Sequence, residues 1–347
     1  MSFFNVFRAV VIAEAGINHD GSLDEAKRLV DVAADAHSDY VKFQSFHPET
    51  IVLPEAERSS YIVEGSYPNE SFRDLLARLH LDWDAQRELH RYCVSRGMKF
   101  LSTPFDEDNL DFLCDELDVD FIKIASGDLT NTPLLRSATK KGKPILLSTG
   151  MADLIEIADA VDILKSANVD FCLMHCVSWY PCEFDICNLN VINTLKKRFN
   201  CIVGFSDHSL GVLLPPVAVA MGARVIEKHF TLDTTAFGPD HKASLSPADL
   251  IEVVANIRKV EIALGTGEKA LESIDPLELG QRKVHRRSIV TLSDIAKGEA
   301  FTLENLGVKR PGTGMKPSEL EALVGKKSSR SLNKDVLLRP ADVVNEN

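Results

Sequence analysis

Two short stretches carry residues whose types and spacing suit metal-assisted chemistry: Gly204-Phe205-Ser206-Asp207-His208-Ser209 and Glu227-Lys228-His229-Phe230. Each follows an apolar run of strand character, Cys201-Ile202-Val203 before the first and Ala223-Arg224-Val225-Ile226 before the second. Side chains two apart on a strand share a face, so Ser206 points with His208 and Glu227 with His229. Two imidazoles at the ends of neighbouring strands, each with an oxygen-bearing neighbour, can hold one divalent metal, and a hydroxyl beside them suits phosphate. A lone histidine in either place would read as a hydrogen-bonded core residue. The matched pair is what points to a metal.

Positioning these groups requires a repeating frame, and the first 230 residues supply one. Strand-like runs recur at Ala9–Ala13, Tyr40–Phe43, Met98–Leu101, Phe121–Ile124, Pro144–Leu147, Phe171–Met174, Cys201–Val203 and Arg224–Ile226. The segments between them carry helical periodicity, as in the run from Asp24 to Ala33, where Ser22 and Glu25 stand at capping-box spacing. Eight alternating β and α units over about 250 residues fit a (β/α)8 barrel. An open doubly wound sheet shares the alternation, and the count favours closure. Every run ends in polar or small residues, which in a barrel converge on one face. They include Glu14, Lys42 with Gln44, Thr103, Lys123 with Ser126, Ser148, and Ser178 with Tyr180. Lys42 and Lys123 lie amid apolar strand residues, a costly place for an unpaired ammonium.

After residue 246 the pattern changes. Ser246-Pro247 opens a last helix to about Leu264, Gly265-Thr266-Gly267 breaks it, and residues 271–285 read as a polar linker. The remainder, 286–347, reads as a compact, mostly β appendage, too small for another barrel. The expected division is therefore a barrel over 1–270, the linker, and the appendage. A net charge of -12 argues against general nucleic-acid binding, which needs a basic face. No apolar run reaches membrane-spanning length, and residues 1–8 lack the pattern of a signal peptide. Seven cysteines, an odd number with no CxxC pair, fit free thiols in a reducing cytoplasm.

Taken together, these pieces resemble the sialic acid synthase family. The resemblance rests on Ala13-Glu14-Ala15-Gly16-Ile17-Asn18-His19-Asp20-Gly21, Lys42-Phe43-Gln44, Ser102-Thr103-Pro104-Phe105 and Lys123-Ile124-Ala125-Ser126-Gly127. It continues through Ser148-Thr149-Gly150-Met151, Ser206-Asp207-His208, Glu227-Lys228-His229-Phe230 and Gly238-Pro239-Asp240-His241. The tail, with Arg310-Pro311-Gly312-Thr313-Gly314, resembles that family's C-terminal antifreeze-like (SAF) domain. The resemblance implies a TIM barrel with an SAF domain that condenses phosphoenolpyruvate with an N-acylated hexosamine. It further implies His208 and His229 as ligands of a divalent metal, usually manganese, with magnesium or cobalt as alternatives. Lys42, Thr103, Lys123, Ser126, Ser148 and Ser206 would hold phosphoenolpyruvate. Gln44, Tyr180 and Asp240 would contact the hexosamine. Arg310 would do so from the neighbouring subunit of a domain-swapped homodimer. Glu14 and Glu227 are the carboxylates expected to orient or activate water, or to pair structurally with lysines.

One departure concerns the sugar. Ser178 stands where the sialic acid makers carry Asn, two residues before the tyrosine, and Ser offers one donor where an amide offers two. N-acetylmannosamine and a 2,4-diacetamido-6-deoxy sugar of the legionaminic type both remain open as acceptors. Other phosphoenolpyruvate-condensing barrels need extra basic residues for a second phosphate. A non-catalytic carbohydrate-binding barrel would have lost a metal histidine or a phosphate lysine.

Overall fold

The computed structural model describes residues 8–270 and 272–344. The expectations placed on residues 1–7, 271 and 345–347 lie outside the described residues. The chain divides into two compact units, Met1–Gly265 and Thr266–Asn347.

The first unit is built on eight parallel strands, β1 (Val10–Gly16), β2 (Tyr40–Ser45), β3 (Lys99–Pro104), β4 (Ile122–Ile124), β5 (Ile145–Ser148), β6 (Phe171–Cys176), β7 (Ile202–Asp207) and β8 (Val225–His229). They hydrogen-bond in the order β3-β2-β1-β8-β7-β6-β5-β4, so β1 joins β8 and the sheet curls into a nearly closed TIM-type barrel. Both faces of a barrel strand are covered, by the interior side chains and by the outer helices, so the strands read as continuous apolar runs. All of β5 and all of β8 are buried accordingly.

The ladders extend past the apolar runs into the polar residues that follow. β7 continues to Asp207 and β8 to His229, which places Ser206, Glu227 and His229 on regular strand, while His208 stands one residue past the end of β7. At β1 the register with β2 slips between Glu14 and Gly16. Gly16 there has φ +54, and a Cβ on it would lie 3.3 Å from Asp240 Oδ2 and 3.4 Å from His229 Cε1. Only glycine fits that bulge without strain.

The helices begin where cap chemistry places them. Ser22 accepts from Glu25 N, one half of the expected box, at the start of helix Leu23–Asp35. Ser246 and Asp249 cap each other reciprocally ahead of helix Pro247–Leu264. Among the described residues no helix is long and apolar enough to cross a membrane.

The second unit pairs β9 (Ser288–Thr291) antiparallel with β10 (Leu306–Lys309). Single bridges such as Ile295↔Leu332 and Ala300↔Lys327 extend the arrangement around a small core of Ile289, Phe301, Leu306 and Leu338. Within the segment read as a polar linker, Pro276–His285 is helical. Asp275 caps it by accepting from Leu277 N at 2.7 Å, Pro276 occupies its first turn, and Arg282, Lys283 and His285 stand at its negative end. None of its residues is buried, and Leu277 and Val284, seven apart on one face, are exposed.

Candidate active site

A cavity of about 390 Å³ opens at the C-terminal ends of the barrel strands, within the size range of small-molecule sites. Its wall includes Glu14, Lys42, Gln44, Thr103, Lys123 and Ser126. It also includes Ser148, Tyr180, Ser206, His208, Glu227, His229 and Asp240. The residues that the sequence singled out in the barrel thus share one space. Arg310 lies in the second unit, exposed, with its Nε donating to His285 O at 3.1 Å.

Four charges form the floor. Lys42 Nζ lies 2.8 Å from Glu14 Oε2 and 3.7 Å from Glu227 Oε1, and Lys123 Nζ lies 3.3 Å from the same Glu227 oxygen. All four side chains are almost wholly buried, so the two lysines are neither surface charges nor unpaired. Lys42 also donates to Thr103 Oγ1 at 2.9 Å, and Ser206 Oγ donates to Glu227 Oε1 at 3.2 Å.

The two carboxylates differ because their surroundings differ. Burial pushes Glu14 up to about 7, with the neighbouring Glu227 charge adding to it and Lys42 opposing it. Burial acts the same way on Glu227, but Lys123 and Lys42 together outweigh it and hold the group down to about 2. Glu227 is the fixed charge, and Glu14 is the carboxyl that can exchange a proton near neutrality.

His208 and His229 stand on the same cavity wall with ring centroids 5.5 Å apart. His208 Nδ1 lies 2.7 Å from Val177 O, which assigns the hydrogen to Nδ1 and leaves Nε2 a free lone pair. Burial, His208 and Lys42 keep His229 neutral, its pKa well below the ordinary value. Asp240 Oδ2 is 3.7 Å from His229 Nδ1, and the Tyr180 ring covers His208 at 4.0 Å. Among the described residues no three His, Cys, Asp or Glu side chains converge on one point, so the protein offers two imidazole nitrogens rather than a closed cage.

Apart from Glu14 Oε2, which Lys42 Nζ approaches at 2.8 Å, three buried atoms on the wall have no hydrogen-bond partner among the described residues: Ser148 Oγ, Glu227 Oε2 and His229 Nδ1. Buried polar groups are ordinarily paired, so these atoms mark where a bound molecule would make contact. Ser126 accepts from Gly150 N at 3.0 Å. A Cβ on Gly150 would come within 2.3 Å of Ser178 Oγ and 2.9 Å of Ser126 Oγ, so glycine there lets the two hydroxyls approach the backbone.

The apolar part of the wall was not foreseen from the sequence. Phe46, Ile62, Phe72, Leu76 and Phe105, with Tyr61 stacked on Tyr180 at 4.8 Å, give it an apolar surface. Most of it comes from the long excursion between β2 and β3. That excursion far exceeds the usual length of a βα connection, and its length at the strands' C-terminal end was the available signal. The cysteines are free thiols, with Cys182 and Cys187 in contact at 3.3 Å.

Fold and site together define a TIM-barrel enzyme working at its strand ends, with a small β unit appended. The NeuB family model matches residues 29–269 and the SAF domain model residues 286–344, and the chain belongs to the NeuB family. Over 96% of its length and 99% of the other's, it is 40% identical to the N,N'-diacetyllegionaminic acid synthase of Campylobacter jejuni. It is 37% identical to the human N-acetylneuraminate-9-phosphate synthase over 94% of this chain and 90% of that one. The crystal structure of an N-acetylneuraminic acid synthetase from Leptospira borgpetersenii matches with a TM-score of 0.70 at 35% identity, covering 79% of this chain and 91% of that one.

Proposed function

We propose that this chain condenses phosphoenolpyruvate with an unphosphorylated, N-acylated hexosamine to give a nonulosonic acid and phosphate. The observation that carries the reading is the arrangement of Lys42 and Lys123 with Thr103, Ser126, Ser148 and Ser206 around one buried floor. Two ammoniums and four hydroxyls suit a small molecule bearing both a phosphate and a carboxylate.

The acceptor follows from what remains of the wall. Among the described lining residues the only lysines or arginines are Lys42 and Lys123, both assigned to phosphoenolpyruvate, so a sugar phosphate would have no cation of the same chain to pair with. The apolar side suits methyl groups, both of N-acetyl substituents and of a deoxy carbon. This favours a 2,4-diacetamido-6-deoxy acceptor, with two N-acetyl methyls and a deoxy carbon to bury, over N-acetylmannosamine, which has one such methyl.

In the reaction, the C3 carbon of phosphoenolpyruvate bonds to the sugar's aldehyde carbon while the aldehyde oxygen takes up a proton. Water then adds at C2, and the tetrahedral intermediate expels phosphate by C–O cleavage. Glu227, ionised, holds negative charge beside the positive charge that develops at C2. Glu14 moves the proton, its raised value being matched to neutral pH. Lys42 and Lys123 hold the phosphoenolpyruvate charges. His208 and His229 fit a divalent cation through nitrogens left free of protein partners, with manganese the expected ion. Such a cation, when bound, would act as a Lewis acid on the aldehyde oxygen.

The chain works as a homodimer in which Arg310 of the SAF domain reaches the neighbouring cavity. In support, exposed apolar side chains stand on three successive strand-end loops, among them Met151, Trp179, Phe184, Leu210 and Leu213, with Ile155 in the first turn of the helix after β5.

Mass spectrometry of a reaction containing phosphoenolpyruvate, manganese and the diacetamido sugar tests the reading. A product that joins the acceptor to the three-carbon keto acid unit is expected. Free pyruvate with unchanged sugar would mean hydrolysis, and would overturn it.

A further inference from the structure

Between the two site residues at the end of β7, and again at the end of β8, stands a charged residue that does not line the cavity. Asp207 lies between Ser206 and His208, and Lys228 between Glu227 and His229. The strands are in register, Ser206 opposite Glu227 and Asp207 opposite Lys228. Strand alternation therefore gives the pair two faces. Toward the cavity Ser206 binds Glu227, and on the other face Lys228 Nζ lies 2.7 Å from Asp207 Oδ2. Both side chains are sealed from solvent, at 1% and 0% exposure.

The pair reaches beyond itself. Asp207 Oδ1 accepts from Ser209 N at 2.9 Å, and Lys228 Nζ donates to Ser209 O. The residue immediately after His208 thus has its N–H and its C=O both held by the ion pair. The His208 carbonyl in turn accepts from Cys182 N at 2.8 Å, and its ring is held through Nδ1 by Val177 O. A buried ion pair is weak evidence for stability, since well-packed apolar residues commonly do as well. What apolar residues cannot do is tie down both backbone groups of a turn.

We propose that Asp207 and Lys228 are positioning residues. They lock the strand ends that carry His208 and His229 so that the two imidazoles are preorganised for a divalent cation. This rests on the metal reading given above. Supporting contacts of this kind typically change metal affinity by about 10–100-fold.

The test uses two double variants of the full chain, without substrates. Asp207→Leu with Lys228→Met removes every polar tie to Ser209. Asp207→Asn with Lys228→Met removes the ammonium but keeps an acceptor for Ser209 N. Mn2+ alone is titrated and its free concentration read by electron paramagnetic resonance, with melting temperature recorded alongside. The expected order of Kd is wild type tightest, the Asn variant intermediate and the Leu variant weakest by about 10–100-fold, with melting temperatures little changed. If the Leu variant does not fold, the Asn variant alone must still show weakened Mn2+ binding. A wild-type Kd in whichever variants fold, even with a lowered melting temperature, overturns the positioning role and leaves the pair a stability device. Wild-type protein that binds no Mn2+, or that binds it equally after His208→Ala, overturns the metal reading and this inference with it.

Discussion

Glu14 and Lys42 face each other across the β1–β2 ladder as a register pair, their charged atoms 2.8 Å apart, at the point where the ladder slips. Despite that contact Glu14 is pushed up to about 7, because burial and the nearby Glu227 charge act against the lysine. The same ammonium is shared with Glu227, which also has Lys123 beside it. Two carboxylates of one composition are thereby given different work.

The pH dependence follows from that split. Glu14 rises from an ordinary 4.5 to about 7 in the folded chain, so its contribution to stability is complete below about 4.5 and is lost as pH rises through 7. Glu14→Gln should flatten melting temperature against pH across that window. It should also lower kcat by about 10²–10⁴-fold and abolish the rise in kcat/KM near pH 7. A variant that keeps the rise would assign the proton transfer to another group.

Lys42→Met should destabilise the fold by about 3–5 kcal/mol, since it leaves buried carboxylate without its nearest partner. Adding Glu14→Gln should recover much of that loss in thermal unfolding. The double variant should still bind phosphoenolpyruvate poorly, because neutralising the carboxyl restores the charge balance but not the ammonium. Recovery of substrate binding would remove Lys42 from the phosphoenolpyruvate site.

Gly150→Ala should raise KM for phosphoenolpyruvate, with a fall in kcat/KM on the order of 10²-fold. The new Cβ would meet Ser178 Oγ at 2.3 Å and Ser126 Oγ at 2.9 Å, and both hydroxyls must move. Adding Ser178→Ala relieves the first clash only, so a partial rescue is expected in steady-state kinetics. Full activity in Gly150→Ala would mean that neither hydroxyl has a fixed role.

Arg310→Ala should raise KM for the sugar more than KM for phosphoenolpyruvate. Light scattering should give twice the chain mass for wild type, and substituting Trp179 and Leu213 by Ser should lower it. An equal effect of Arg310→Ala on both substrates would take it out of the sugar site.

Much of the fold was legible because barrel strands are buried on both faces and announce themselves as apolar runs. Residues at strand ends, such as Lys42, Ser206 and His229, could be placed because alternation sets their facing. The apolar wall was not legible, since Phe46, Ile62 and Phe72 look like any loop hydrophobics until the chain between β2 and β3 closes over the cavity. Helix Pro276–His285 escaped for a different reason, being short and burying none of its residues. Asp207 and Lys228 read as charges beside site residues, and only the register of β7 on β8 makes them a pair.

The central claim is tested most directly by phosphate release from phosphoenolpyruvate in the presence of manganese. N-acetylmannosamine and its 2,4-diacetamido-6-deoxy analogue would be compared as acceptors, with a chelator arm for each. Release that requires the sugar, is faster with the diacetamido compound and stops on chelation is the expected result. Release from phosphoenolpyruvate alone, or none with either sugar, would contradict the assignment.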